Sequence, residues 1–302
     1  TGSKPQQHFD VVGVDGHGWG KPSPQDPKGI YSITSAACDF IEANQDKPFF
    51  AYVPHYAVHS PLQSRQATLA KFKEKPPGKL HDNASHAACL AELDNSVGQL
   101  MAKLSELGLE QNTLVLFTSD NGGTAESQEP LRGKKGCYYE GGIREPMIVR
   151  WPAVVKPGTT CDVPVINVDF YPTFLDVAGA KPPQDHPLDG SSLLPLLEGK
   201  PALERQAIFW HFPGYLNGPV PRGRDPEFRT RPVSVIRRGD WKLHLYHEEW
   251  SFDGGRDALA TNNAVELYNI VEDPREMKNV ALSETKQRDE LLDNLLAWIG
   301  QT

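Results

Sequence analysis

The sequence predicts an α/β protein: a mostly parallel sheet sandwiched by helices, followed by a small α+β unit of antiparallel strands and a terminal helix. Three observations carry this. A helical stripe between Ala84 and Leu107 runs straight into the apolar segment Leu114 to Phe117, the pattern of a central strand covered by helices on both faces. That segment and an earlier one, Phe49 to Val53, each end on a polar tip, "HYAVHS" and "SDNGG", where open sheets of this kind gather their ligands. Beyond Pro201 the alternation gives way to strand-forming segments around a Gly-Asp turn.

Taken in order, "TSAACDFIEANQDKPFFAYV" predicts a helix ending near Asn44, a turn through Asp46, Lys47 and Pro48, and a buried strand from Phe49 to Val53. Leu90, Leu93, Val97, Leu100 and Leu104 recur at steps of three and four and so share one helical stripe, which Gly108 closes. After the strand Leu114 to Phe117, "VDFYPTFLDVAGA" predicts a helix begun by Asp169 and closed by Gly179. The Pro-rich "KPPQDHPLDG" then leads into the short Leu-rich "SSLLPLLEG". "RPVSVIRRGDWKLHLYH" predicts an antiparallel hairpin and "AVELYNIVEDP" a further strand. A last helix, with Leu291, Leu292, Leu295, Trp298 and Ile299 on one stripe, covers them. This places a boundary near residue 205, with residues 1–205 forming the larger unit and 206–302 the smaller.

With 302 residues, 38% of them hydrophobic and 23% charged, the chain can bury a sizeable core. A formal net charge of −8 argues against nucleic acid or an anionic membrane as the main partner, since neither phosphate neutralisation nor a polybasic anchor is available overall. No stretch approaches the roughly 18 uninterrupted apolar residues of a membrane span. Cys38, Cys89, Cys137 and Cys161 stand too far apart for a zinc knuckle or a CxxC redox pair and read as free thiols. Asn83-Ala84-Ser85 is a glycosylation sequon that matters only in a eukaryotic secretory pathway. The chain opens on Thr1 rather than Met and shows no signal-peptide core, so it reads as processed or cut from something longer.

Asp120 and Asn121 offer adjacent hard oxygen ligands, which suit Ca²⁺ or Mg²⁺ better than zinc; an Asx turn leading into a Gly-Gly loop is the alternative. His59, at the other polar tip, is a candidate catalytic residue or a structural histidine. "LRGKKGCYYEGGIREP" combines lysines and arginines with glycines that let backbone approach a ligand, giving an anion site or a solvated basic loop. His211, in "IFWHFPGY", lines a pocket or belongs to an aromatic cluster. Residues 211–232, rich in Gly, Pro and Arg, suit neither helix nor strand and read as a rim loop or a linker. As a rim, it would offer Arg222, Arg224, Arg229 and Arg231 to a polyanionic substrate.

Together these segments resemble the sulfatase family of the alkaline-phosphatase-like superfamily. "KPFFAYVPHYAVHSPLQ" looks like its substrate-histidine segment and "TLVLFTSDNGG" like its second metal-ligand pair. "LRGKKGCYYEGGIREPMIVRWP" is similar to its G-K-G…Y-E-G-G-x-R-E-P signature, and "VDFYPTFLDVAG", "LDGSSLLPLL", "IRRGDWKL" and "ELYNIVEDPREMKNVA" continue the likeness. The resemblance implies an alkaline-phosphatase-like sheet and a calcium-dependent hydrolase of sulfate esters, either small aryl sulfates or sulfated glycans. It also implies a periplasmic, extracellular or lysosomal-type compartment. It makes Asp120 and Asn121 Ca²⁺ ligands, has Lys135 hold a sulfate oxygen, and has His59 contact the sulfate or deliver a proton to the leaving alcohol. Tyr139, Glu140, Gly141, Gly142 and Arg144 become scaffold for the loop, and His211 a substrate contact.

The sequence departs from the family at one point. Members carry an N-terminal Asp-Asp metal pair and a C-x-P-S-R or C-x-A-S-R motif whose cysteine becomes the formylglycine nucleophile, and no cysteine here stands in that context. The expectation is therefore the C-terminal part of a sulfatase, its sheet incomplete at the N-terminus, unable to turn over alone. A metal-dependent phosphoesterase or phosphonate hydrolase of the same superfamily, or a non-catalytic truncated fragment, are the alternatives.

Overall fold

A computed structural model describes residues 23–124 and 126–301. The stretch to which the reading of an interrupted N-terminus refers lies outside the described residues. The chain divides into two compact units, one of residues 23–113 with 126 and 127, the other of 114–124 with 128–301.

The first unit is helical. α1 (Ile30–Ala43) ends at Asn44, as the sequence predicts, and its first turn is capped by Asp26, whose carboxylate accepts from the backbone of Tyr31 at 2.8 Å and Ser32 at 3.1 Å. α2 (Gln66–Lys73) and α1 both pack on α3 (Ala84–Glu106), which Asn83 caps by accepting from Ser85 and His86. The face that α3 fully buries shares only Leu104 with the predicted leucine stripe. It is Ala88, Cys89, Glu92, Ser96 and Leu104, whereas Leu90 is 48% exposed. The reason is polar: Ser96 bonds His55 at 2.8 Å and the Thr34 hydroxyl, and Glu92 accepts the backbone of Arg65 at 2.8 Å. The small and polar residues of α3 thus knit the unit, and burial holds His55 below the usual histidine range. Phe49 to Val53 is not the buried strand expected. The segment has no strand structure, Tyr52 is 80% exposed, and among the described residues no strand pairs with it. An apolar run becomes a strand only when a neighbour takes up its backbone bonds.

In the second unit β1 (Val115–Thr118) forms where the sequence places it, but its neighbour β2 (Met147–Arg150) runs antiparallel, Val115 opposite Arg150 and Thr118 opposite Met147. Every strand pair among the described residues is antiparallel, so the parallel pairing expected for this strand is not seen there. α5 (Phe170–Val177) follows Asp169 and ends before Gly179 as predicted. The Asp169 carboxylate does not cap that helix. It turns back to the amides of Ile166 and Ser191, both at 2.9 Å, and pairs with Arg205. α6 (Leu194–Leu197) is the Leu-rich segment.

The four-stranded sheet has the order β3 (Ile208–Phe212), β6 (Val233–Arg238), β7 (Trp241–Tyr246), β8 (Val265–Asn269). Between β3 and β6, the stretch expected to be irregular holds a short pair, β4 (Leu216–Asn217) and β5 (Phe228–Thr230); α7 (His247–Phe252) follows β7. One sheet face is apolar. Ile236, Leu243, Leu245 and Leu267 meet Leu291, Leu292 and Leu295 of α8 (Thr285–Ile299), while Trp298 stacks on Phe209 at 4.8 Å. The alternate residues of β7 and β8, Lys242, His244, Tyr246, Glu266 and Tyr268, are buried on the opposite face, which is therefore polar.

Against that polar face lies the loop from Leu131 to α4 (Glu140–Ile143). Its glycines are explained by contact. A Cβ on Gly122 would stand 2.2 Å from the Gly141 carbonyl, and one on Gly142 the same distance from the Cys137 carbonyl. Backbone packs on backbone here, and Gly122 donates to the Gly142 carbonyl at 3.1 Å. Gly122→Ala and Gly142→Ala should each destabilise the chain by more than about 2 kcal/mol in urea unfolding, since backbone must shift. Gly98→Ala, in the open on α3, should stabilise by about 0.5–1 kcal/mol. By the same measurement Leu292→Ala should cost about 2–5 kcal/mol. Leu90→Ala should stay within about 0.5 kcal/mol, and a large loss there would mean that the leucine stripe of α3 is the packed face after all.

Candidate functional site

Asp120 and Asn121 follow directly on β1, held in place because Gly122 is locked to Gly142. The Asn121 side-chain N–H donates to the Asp120 carboxylate, so the two side chains are in direct contact. A second acidic group lies near Asp120. Glu145 is half-buried between α4 and β2, with an oxygen that is buried and has no hydrogen-bond partner among the described residues. Burial pushes its carboxyl up, a bond from Ser119 pulls it back, and the Asp120 charge raises it again. Sequence reasoning quoted Glu145 within the R-E-P wording but gave it no role; its proximity to Asp120 comes from the β1–β2 pairing. Among the described residues no cluster of three or more His, Cys, Asp or Glu side chains surrounds one metal position. The donors that are present, one carboxylate and one amide beside a carboxylate oxygen lacking a partner, have the hard-oxygen chemistry that suits Ca²⁺.

Lys135 lies on the loop that the same glycines close, its backbone N–H donating to the Gly123 carbonyl at 3.3 Å. Two adjacent lysines behave differently. The Lys134 ammonium donates to the Thr124 carbonyl at 3.1 Å, while the Lys135 ammonium enters no hydrogen bond or ion pair among the described residues. The scaffold residues are deeply engaged. The Tyr139 hydroxyl donates to Glu266 at 2.8 Å, in a cluster shared with Tyr246 and Tyr268, and the Arg132 guanidinium lies 3.8 Å over the Tyr139 ring. The Glu140 partner is chiefly Lys242 at 2.9 Å, with the exposed Arg144 only at 3.9 Å.

The two histidines of the expected site belong to different units. His59 belongs to the first unit, exposed, stacked on Tyr56 at 5.1 Å and bonded through Nδ1 to the Ser60 carbonyl at 2.8 Å. His211 is opposite Ser234 and so shares the sheet face of Leu245 and α8, whereas Tyr138 packs on the other face with Val233 and Tyr246. His211 is held through the Ser234 hydroxyl at 2.7 Å, which also bonds His247 at 2.8 Å, and burial followed by the neighbouring His211 keeps His247 below the usual histidine range. The arginines of residues 211–232 are occupied internally. Arg224 pairs with Glu249 and Glu266, and Arg231 with Asp225 and Glu248. Arg222 donates to the Leu131 carbonyl and Arg229 to the Asn217 carbonyl. They fasten the segment to the unit and are not presented as an open polycationic rim.

The Sulfatase family model matches residues 30–180, and the model described as N-sulphoglucosamine sulphohydrolase, C-terminal, matches residues 133–299. A sulfatase of Formosa agariphila is 34% identical over 84% of this chain and 46% of its own length. Human steryl-sulfatase is 35% identical over 81% and 42%, and human arylsulfatase A is 34% identical over 78% and 45%. The chain thus spans about half the length of the curated relatives it matches. Among solved structures, Ps i-CgsB superposes with a TM-score of 0.71 at 28% identity, over 89% of this chain and 54% of the other. BT4656 shares the fold at a TM-score of 0.66 and 21% identity, over 90% and 69%. On these matches the chain belongs to the sulfatase family and has its alkaline-phosphatase-like fold.

Proposed function

We propose that this chain carries the metal-and-anion half of a calcium-dependent hydrolase of sulfate esters. The observation that supports it is the glycine-locked contact of the two loops, which puts the donors Asp120 and Asn121 next to the loop of an unengaged ammonium, Lys135. Asp120 and Asn121, with the Glu145 carboxylate near, would hold Ca²⁺; bound there, the ion supplies charge neutralisation for the sulfate oxygens. Lys135 holds a sulfate oxygen and stabilises charge that grows on the leaving group, which is where a fixed cation accelerates transfer. His59 is the group we assign to proton delivery to the leaving alcohol. His211, exposed on an edge strand and fixed through Ser234, is proposed as a contact for a part of the substrate remote from the sulfate. We read residues 206–302 as a subdomain within the second unit, appended to the catalytic part formed by 1–205.

The substrate class is a sulfate ester, and a glycan is favoured by one comparison: the similar Ps i-CgsB has been solved in complex with k-i-k-neocarrahexaose. The nucleophile is not among the cysteines of this sequence, none of which has the proline or alanine and the arginine that formylglycine formation requires in this family. A formylglycine supplied by a further segment is part of the proposal. The chain expressed by itself should accordingly show no hydrolysis of a chromogenic aryl sulfate; turnover that persists through repurification would overturn the placement of the nucleophile elsewhere. Asp120→Ala should abolish Ca²⁺ binding measured by calorimetry on the chain, which with so few protein oxygens should be weak, about millimolar. Unchanged affinity would make Asp120 a turn residue.

A further inference from the structure

Lys242 on β7 is wholly buried, and both of its ionic partners are carboxylates, Glu140 at 2.9 Å and Glu276 at 2.9 Å. Glu276 accepts in addition the backbone N–H of Glu140 at 2.5 Å, so residue 140 is gripped by main chain and side chain together. Gly141 and Gly142 come next. Gly141 donates to the Arg132 carbonyl at 2.8 Å, Gly142 accepts from Gly122, and Lys135 donates to the Gly123 carbonyl. An unbroken run of bonds and backbone contacts therefore leads from Lys242 to the residues flanking Asp120, Asn121 and Lys135.

We propose that Lys242, acting with Glu276, is a positioning residue for the sulfate-ester site: its ammonium bridges two carboxylates from different segments and so fixes the loop that presents Lys135 and locks Asp120–Asn121. The proposal rests on the reading of those three residues given above. The charge count supports it. His244, 3.5 Å from Glu276, is kept neutral by burial, and the Cys137 thiol is pushed up by burial and stays protonated. Arg237 and Arg144 stand 3.8 and 3.9 Å from Glu140 and do not reach Glu276 by any ion pair. Arg132 gives its hydrogen bonds to the Glu276 carbonyl and the Tyr268 hydroxyl rather than to the carboxylate. Among the described residues Lys242 is thus the one side chain that neutralises both anions, and burial alone would drive its proton off if they did not hold it. Remove the ammonium and the two carboxylates repel across residue 140, a strain that one shared proton relieves.

Lys242→Met keeps the length and removes the charge. Amide hydrogen exchange on the full chain, corrected for the intrinsic pH dependence, should find protection of residues 120–123 and 131–142 unchanged in the wild type between about pH 5 and 8. In Lys242→Met it should fall by at least about tenfold at the upper pH and return at the lower one, with β8 amides held throughout. Lys242→Met/Glu140→Gln, which leaves a single carboxylate, should be protected at both. A loop as protected as the wild type, or one lost equally at both pH values, overturns the proposal. If Lys242→Met unfolds at the upper pH, refolding on acidification or folding of the double variant at both supports it, and unfolding of both variants everywhere overturns it. Sodium sulfate titrated by calorimetry separates the two readings. Weaker sulfate binding by Lys242→Met only at the upper pH supports positioning of Lys135. A wild type without sulfate affinity overturns the role of Lys135 and of the site that Lys242 is said to position, whatever the exchange shows of the ion triad.

Discussion

The second unit is arranged around one buried positive charge. Taking an ammonium out of water carries an idealised solvation cost on the order of 20 kcal/mol, and several kcal/mol remain after relaxation. Lys242 can be wholly buried only because Glu140 and Glu276 meet it from two different segments, and this forces those segments together. The requirement is reciprocal. Lys242 holds the Glu276 carboxyl down to about 2 against its own burial, so over the ordinary pH range Glu276 is charged. The sign follows from that depression: the stabilisation is fully present above the ordinary carboxylate pKa near 4.5 and is lost as pH falls through the folded value.

A second anion divides the same face of the sheet. Glu266 accepts from Tyr139, Tyr246 and Tyr268 and pairs with Arg224. The tyrosine hydroxyls are pushed up and remain protonated donors. The polar face is thus built from two carboxylate centres, one neutralised by a lysine and the other by an arginine with three hydroxyls. Buried polar groups with defined partners accept few alternative packings, which is how a loop rich in glycine acquires a single conformation. The apolar face under α8 has no such directionality; it supplies burial, and the polar face supplies register.

Legibility in the sequence followed the range of the interactions. The hairpin around Gly239-Asp240, the strand 265–269 and the terminal helix were readable because their signals are local: alternation, a turn dipeptide, a stripe. The leucine stripe of α3 misled, since Ser96 and Glu92 outcompete Leu90 for the interior by bonding His55 and the Arg65 amide, partners 41 and 27 residues away. Phe49 to Val53 misled for the same reason in reverse, because its composition suits a strand and pairing is decided elsewhere. Lys242 and Glu276 drew no notice as chemistry at all. A lysine alternating with leucines in a strand reads as a solvent-facing residue until the opposite face of the sheet is known to be covered.

The site was legible to the extent that its residues are adjacent in sequence. Asp120 with Asn121 and Lys134 with Lys135 are visible as pairs, but nothing in the sequence separates the two lysines; only the Thr124 carbonyl, which engages one ammonium and leaves the other, does so. Likewise the Y-E-G-G wording marks the loop without saying why both glycines are needed. The reason is steric on either side: Gly141 abuts the Arg132 and Gly133 carbonyls, Gly142 abuts those of Cys137 and Lys134, and Gly122 closes on both from the strand end. A side chain at any of the three would part the donor pair from the loop of the lysine. The glycines allow the approach and the buried ion triad enforces it, so that residues 120, 121 and 135, none of which touches Lys242, inherit their positions from it.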